Sequence, residues 1–187
     1  MTTGYQIKEQ DALYYLTLQV VDWVDVFTRQ CYRDIVVDSM RYCQLNKNLQ
    51  VFAYVIMSNH IHLIANSATG ELSATLRDFK KFTSKAILQQ IAEGRESRRE
   101  WMLNRFAFAA SRHGRNEYYQ LWTHENHAVH LYSHDFIREK LDYLHDNPVR
   151  AGLVAKPEDF LYSSARNYAG LDGVLDVEQI DLPWITY

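Results

Sequence analysis

Two small groups of residues have the types and the spacing for chemistry. The first is the pair His60 and His62, separated by Ile61 in the stretch HIHLI. Successive side chains of a strand point to opposite faces, so on a strand these imidazoles share a face, roughly 6–7 Å apart along the chain. They can then share one metal ion, and neutral imidazole is the commonest protein ligand for a metal. The second group is Tyr143 and Asn147, four residues apart in KLDYLHDNP, which puts both along one edge of a helix end. The phenol is a latent nucleophile, and the carboxamide oxygen suits a hard divalent cation. Each group also has an ordinary reading: core histidines that bond to backbone leave the same His-x-His pattern, and most of the thirteen tyrosines must be packing residues.

Periodicity predicts the elements that position these groups. Residues 51–57 are apolar or aromatic throughout, Val51, Ala53, Val55 and Met57 alternating with Phe52, Tyr54 and Ile56, as in a strand covered on both faces. Ser58 and Asn59 are turn formers, and the stretch that begins at His60 is the next strand. Upstream, residues 12–21 (ALYYLTLQVV) predict a first strand, residues 22–28 a loop, and residues 29–45 an amphipathic helix carrying Cys31, Ile35, Val36, Met40 and Cys43 inward. Downstream, residues 71–91 predict a long helix with the stripe Leu72, Leu76, Phe79, Phe82, Ile87 and Ile91; residues 100–110 continue helical, and residues 128–132 make a last strand. Residues 133–146 predict a helix capped by Ser133 and closed at Asn147-Pro148, because the residue before a proline is pushed out of the helical region. The order begins as strand, helix, strand, strand, the opening of a ferredoxin-like α+β fold with an antiparallel sheet and helices packed on it. His124, His127 and His130 have no spacing that joins them to the first pair.

The 187 residues suit one domain with a full core, and the 47% apolar share is that of an ordinary globular chain. No apolar run approaches the roughly 20 residues of a membrane span, and the first residues lack the basic-then-apolar order of an export signal. A cytoplasmic protein is expected, with Cys31 and Cys43 as reduced core residues. The net charge of −3 argues weakly against a nucleic-acid partner. Its distribution argues the other way: between Arg77 and Arg115 ten basic side chains stand against four acidic ones, with the acidic surplus largely in residues 158–181. Arg77, Lys80, Lys81 and Lys85 lie on one predicted helix, and Arg112 and Arg115 in the turn after the next. They are either a solvated face or a strip that guides a polyanion. Trp122, with Tyr118 and Tyr119, is either a platform for bases or core.

Taken together, VFAYVIMSNHIHLI, LRDFKKFTSKAI, KLDYLHDNPVRAGLV and DFLYSSARNYAG resemble the single-tyrosine HUH transposases of the IS200/IS605 type, and among them the REP-associated tyrosine transposase group. The likeness runs from about residue 12 to 170, which marks residues 1–170 as one HUH domain, an α/β sandwich, and residues 171–187 as a C-terminal tail. The resemblance implies that His60 and His62 are metal ligands, that Tyr143 is the catalytic tyrosine, and that Asn147 is the third ligand. Many members have glutamine there, one methylene longer. It further implies Mg²⁺ or Mn²⁺ as cofactor and hairpin-bearing single-stranded DNA as partner, with Arg77, Lys80, Lys81, Lys85, Arg112, Arg115 and Trp122 as DNA contacts. Cleavage would leave a 5′-phosphotyrosine and a free 3′-OH, without a nucleotide triphosphate, in keeping with the lack of a glycine-rich phosphate loop. A homodimer is one arrangement the resemblance allows. The rival expectations are a hairpin-binding protein that has lost turnover and a zinc hydrolase using the two histidines.

Overall fold

The computed structural model describes residues 6–112 and 118–181. Strands β1 (Tyr14–Gln19), β2 (Leu49–Ile56), β3 (His60–Ser67) and β4 (Val129–His130) form one antiparallel sheet in the order β2-β3-β1-β4. Helices α1 (Gln30–Lys47), α2 (Leu72–Glu93), α3 (Arg99–Ser111) and α4 (His134–Arg150) are followed by the single turn α5 (Ala165–Tyr168). This is the ferredoxin-like α+β arrangement, with α3 inserted between α2 and the last strand.

Alternation along the strands builds a core on each face. Leu16, Leu18, Ile61 and Leu63 point toward α1, α2 and α3, where they meet Val36, Met40, Leu76, Phe79 and Phe106. Tyr15, Ile64, Ala53 and Val55 point the other way and are covered by Leu141 and Leu144 of α4. Each large side chain so buried contributes about 1.5–3 kcal/mol. Because α4 covers the face shared by His60, His62 and Ile64, the sheet hands its two imidazoles to the helix that carries Tyr143.

Several expected details change. The strict alternation of residues 51–57 is broken by a bulge: Val51 pairs with Ala65 and Ala53 with Ile64, so Phe52 is the extra residue. The bulge moves Val51 onto the face of Tyr54 and Ile56, leaving Ala53, Val55 and Met57 opposite. Phe82, expected in the α2 stripe, is 59% exposed. Helix α4 does not close at Pro148. It runs on to Arg150, with the carbonyl of Asn147 accepting from Ala151 N at 3.0 Å, and stops at Gly152, whose φ of +70° is the left-handed cap. Ser133 caps its start by accepting from Phe136 N. Residues 171–181 of the expected C-terminal tail pack on the sheet: Leu175 is buried in the core, and Glu178 N donates to Val51 O at 2.9 Å. The edge of β2 is likewise covered, as Tyr162 O accepts from Ile56 N and Ser164 N donates to Tyr54 O.

Glu96, in the link between α2 and α3, ties this layer to the loop before α1. Its carboxylate accepts from the Tyr32 hydroxyl at 3.0 Å and from Arg98, and pairs with Arg29 at 3.2 Å. Burial works to raise its pKa, but the bonds from Arg98 and Tyr32 outweigh burial and hold it below the usual carboxyl value. The two guanidiniums are partly exposed and can rehydrate, so Glu96→Ala is expected to destabilise by about 2 kcal/mol, mainly by stranding the buried Tyr32 hydroxyl. In thermal unfolding that is about 4–8 °C in Tm. The same carboxylate makes stability fall in acid: its contribution is complete above the unfolded value of roughly 4.3 and is lost as pH falls through the lower folded value. The variant should therefore lose less stability than the parent on acidification.

Candidate active site

His60 and His62 lie on one face of β3 with ring centroids 4.7 Å apart. Each ring is held through Nδ1. Asn59 Nδ2 donates to Asp25 Oδ1 at 2.9 Å, which turns the oxygen of the same amide to His60 Nδ1 at 2.8 Å. An amide oxygen only accepts, so His60 carries its proton on Nδ1 and presents a lone pair at Nε2. The β1–β3 register sets Thr17 opposite His62, and its hydroxyl lies 3.0 Å from His62 Nδ1. Burial pushes the His62 pKa down to about 3, helped by His60 and Arg150, and burial alone lowers that of His60. Both rings are neutral near pH 7. Oriented, neutral imidazoles with the outer nitrogen held by an oxygen are the arrangement of metal-binding histidines.

Tyr143 comes from α4 to the same place in the same chain. Its ring lies 5.9 Å from that of His62, edge-on, and 6.3 Å from Tyr15, which stacks on His62 at 5.1 Å. Burial, followed by the neighbouring Tyr143, raises the Tyr15 pKa, so this second phenol stays protonated. Tyr143 is 40% exposed, within reach of a large substrate. One turn on, Asn147 is buried and donates through Nδ2 to the Tyr143 carbonyl at 2.9 Å, which leaves its Oδ1 free of that bond. Among the described residues no three His, Cys, Asp or Glu side chains converge on one point; the donors here are the two imidazoles and this neutral amide oxygen. Two imidazole nitrogens and one amide oxygen fit a divalent cation that keeps open positions for substrate oxygens.

Two cations flank the phenol. The Arg150 guanidinium sits 4.1 Å over the Tyr143 ring and makes no ion pair among the described residues, whereas Lys140, 5.9 Å from that ring, pairs with Glu139. Arg150 escaped the sequence reading because α4 was expected to end at Asn147. With the helix continuous, Tyr143, Asn147 and Arg150 fall at i, i+4 and i+7 on one face. Thr17, Asn59 and Tyr15 were also missed, since only strand pairing and loop closure bring them to the histidines.

The expected DNA contacts divide. Arg77, Lys81 and Lys85 line an open groove of about 720 Å³ with Tyr118 and Tyr119, and Tyr118 is 71% exposed. Lys80 borders it, but its ammonium donates to the carbonyls of Thr123 and Glu125 at 2.9 and 3.1 Å, and burial lowers its pKa to about 8. It fastens the 123–125 loop to α2. Trp122 is a core residue, 5% exposed, with Nε1 donating to Thr83 at 3.0 Å and its ring against Phe27 and Phe79; no base can stack on it. Arg112 sits apart at the end of α3, paired with Asp22 at 3.4 Å, and Arg115 lies outside the described residues. Trp23, in the loop predicted over residues 22–28, is 56% exposed and meets His60 edge-on at 5.8 Å. It and Asp22 both have positive φ, +54° and +51°, a conformation that two successive non-glycine residues adopt only when their surroundings enforce it.

A ferredoxin-like sheet sets paired imidazoles against a tyrosine on a later helix. The chain belongs to the IS200-like transposases: the family profile described as "Transposase IS200 like" matches residues 11–120, a span that includes both histidines and ends before α4. No curated protein matches the chain significantly. Among solved structures it is similar to the REP-associated tyrosine transposase bound to a REP hairpin, at 17% identity and a TM-score of 0.61, over 100% of this chain and 99% of the other. At that identity the likeness is one of fold. No helix among the described residues is long and apolar enough to cross a membrane.

Proposed function

We propose that this protein cleaves and rejoins single-stranded DNA at hairpin elements, in the cytoplasm, through a covalent bond between Tyr143 and a 5′ phosphate. The observation that carries this is the meeting, within one chain, of the Tyr143 ring with an oriented pair of neutral imidazoles 5.9 Å away at His62. Membership of the IS200-like family and the hairpin held by the structural relative support it.

In the reaction the Tyr143 hydroxyl gives up its proton to solvent as its oxygen attacks phosphorus, the bond from phosphorus to the 3′ oxygen breaks, and that oxygen leaves as a 3′-OH after taking a proton from solvent. The new ester keeps the 5′ end on the enzyme. A phenolate is a better leaving group than an alkoxide, so attack by a 3′-OH reverses the step. His60, His62 and the Asn147 oxygen would hold Mg²⁺ or Mn²⁺, which supplies charge stabilisation at the non-bridging phosphate oxygens. The chain itself contributes the rest. Thr17 and Asn59 keep the imidazoles aimed, neutral Tyr15 stacks on His62 beside Tyr143, and Arg150 offers a fixed positive charge to the nucleophile and the phosphate. Arg77, Lys81 and Lys85 grip the hairpin backbone by charge.

The test is to incubate the protein with Mn²⁺ and a hairpin-bearing single strand from the flanks of its own gene. A protein-linked DNA band on a denaturing gel is expected; no band with any hairpin or either cation would sink the proposal. Arg150→Ala should slow formation of that band roughly 10²-fold, the scale of losing one preorganised charge donor, with hairpin affinity within a few-fold of the parent.

A further inference from the structure

Helix α3 is the insertion in the fold, and its outward face is unusual. Met102, Phe106 and Ala109 pack inward. On the adjoining row, at i, i+4, i+7 and i+11, stand Trp101, Arg105, Phe108 and Arg112. Trp101 is 48% exposed and Phe108 52%. Each aromatic carries an arginine: Arg105 lies 5.9 Å from the Trp101 ring and Arg112 4.3 Å over Phe108. The row is about 16 Å long at 1.5 Å per residue. At its C-terminal end Arg112 pairs with Asp22, the residue before Trp23, and Trp23 in turn meets His60. Aromatic faces alternating with guanidiniums therefore run from the far end of α3 to the histidine pair, and the last platform is held by enforced left-handed backbone.

We propose that Trp23 and the α3 row Trp101–Arg105–Phe108–Arg112 form a track for a single-stranded DNA segment that leads to the His60/His62 centre. The proposal rests on the strand-cleaving function above and adds where the unpaired DNA beside the hairpin lies. Bases stack on exposed aromatics whatever their sequence, and Arg105, which makes no ion pair among the described residues, is placed between the two α3 aromatics to neutralise a phosphate that connects those bases. A nucleic acid supplies both groups the row matches, a flat base for each aromatic and an anion at each step.

Two oligonucleotides test the track: a hairpin with a single-stranded extension of roughly ten nucleotides and the same hairpin without it, each titrated with the full chain by fluorescence anisotropy. Wild type should bind the extended form more tightly. The double variant Trp101→Ala/Phe108→Ala should lose about 10–100-fold on the extended hairpin and nothing on the bare one. Trp101→Phe, which keeps a stacking face, should retain binding of the extension, and Arg105→Gln should lower the salt slope for that oligonucleotide by about 0.7. Unchanged binding of the extended hairpin by the double variant, or equal losses on both oligonucleotides, overturns the proposal. The covalent product is scored separately. A chain that forms no product but shows extension-dependent binding lost in the double variant keeps the track and overturns strand cleavage; the reverse pair of results keeps cleavage and overturns the track.

Discussion

Tyr143→Phe is expected to abolish the protein-linked DNA product while leaving hairpin affinity within about twofold. The substitution removes one oxygen from a ring that is 40% exposed, and the hydroxyl makes no hydrogen bond among the described residues that packing would miss. The ring contacts with His62 and Tyr15 survive, so folding is unaffected. With no oxygen to attack phosphorus, the loss should be complete to the limit of detection, not the 10²-fold of a supporting residue. Two other outcomes discriminate the rivals. A protein that cleaves DNA without an attached band, equally well with and without the Tyr143 hydroxyl, would be a hydrolase using water. One that binds hairpins and yields no product in either form would be a binding protein that has lost turnover.

The second large effect concerns the imidazoles. His62→Ala should reduce adduct formation at least 10³-fold, and excess chelator should do the same to wild type, with activity returning on addition of Mn²⁺. Because each ring is aimed through its Nδ1, the supports are testable apart from the ligands. Thr17→Val keeps the shape of the strand and removes the oxygen 3.0 Å from His62; it should weaken divalent-ion binding about 10–100-fold, seen as a higher Mn²⁺ concentration for half-maximal rate. Full activity of Thr17→Val at low Mn²⁺ would show that the hydroxyl does not orient the ring, and a His62→Ala protein with wild-type rates would rule out a metal at this pair.

The amino-acid sequence by itself determined what depends on local spacing. A period of two put His60 and His62 on one face, a period of 3.6 put Tyr143 beside Asn147, and Ser133 marked the start of the helix that carries them. Everything decided by which surfaces meet required the folded chain. Strand register chose Thr17 as the neighbour of His62, and the bulge at Phe52 turned Val51 away from the face that Ala53 and Val55 present to α4. Closure of the loop through Asp25 and Asn59 aimed His60. Trp122 and Lys80 carry the residue types of a DNA-binding strip, yet one fills the core and the other ties down a loop, because side-chain type does not say which groups lie across from it. Pro148 misled for the complementary reason: a proline removes one helical bond, but the turn beyond it closes on Ala151 and Gly152, and that continuation is what brings Arg150 over Tyr143.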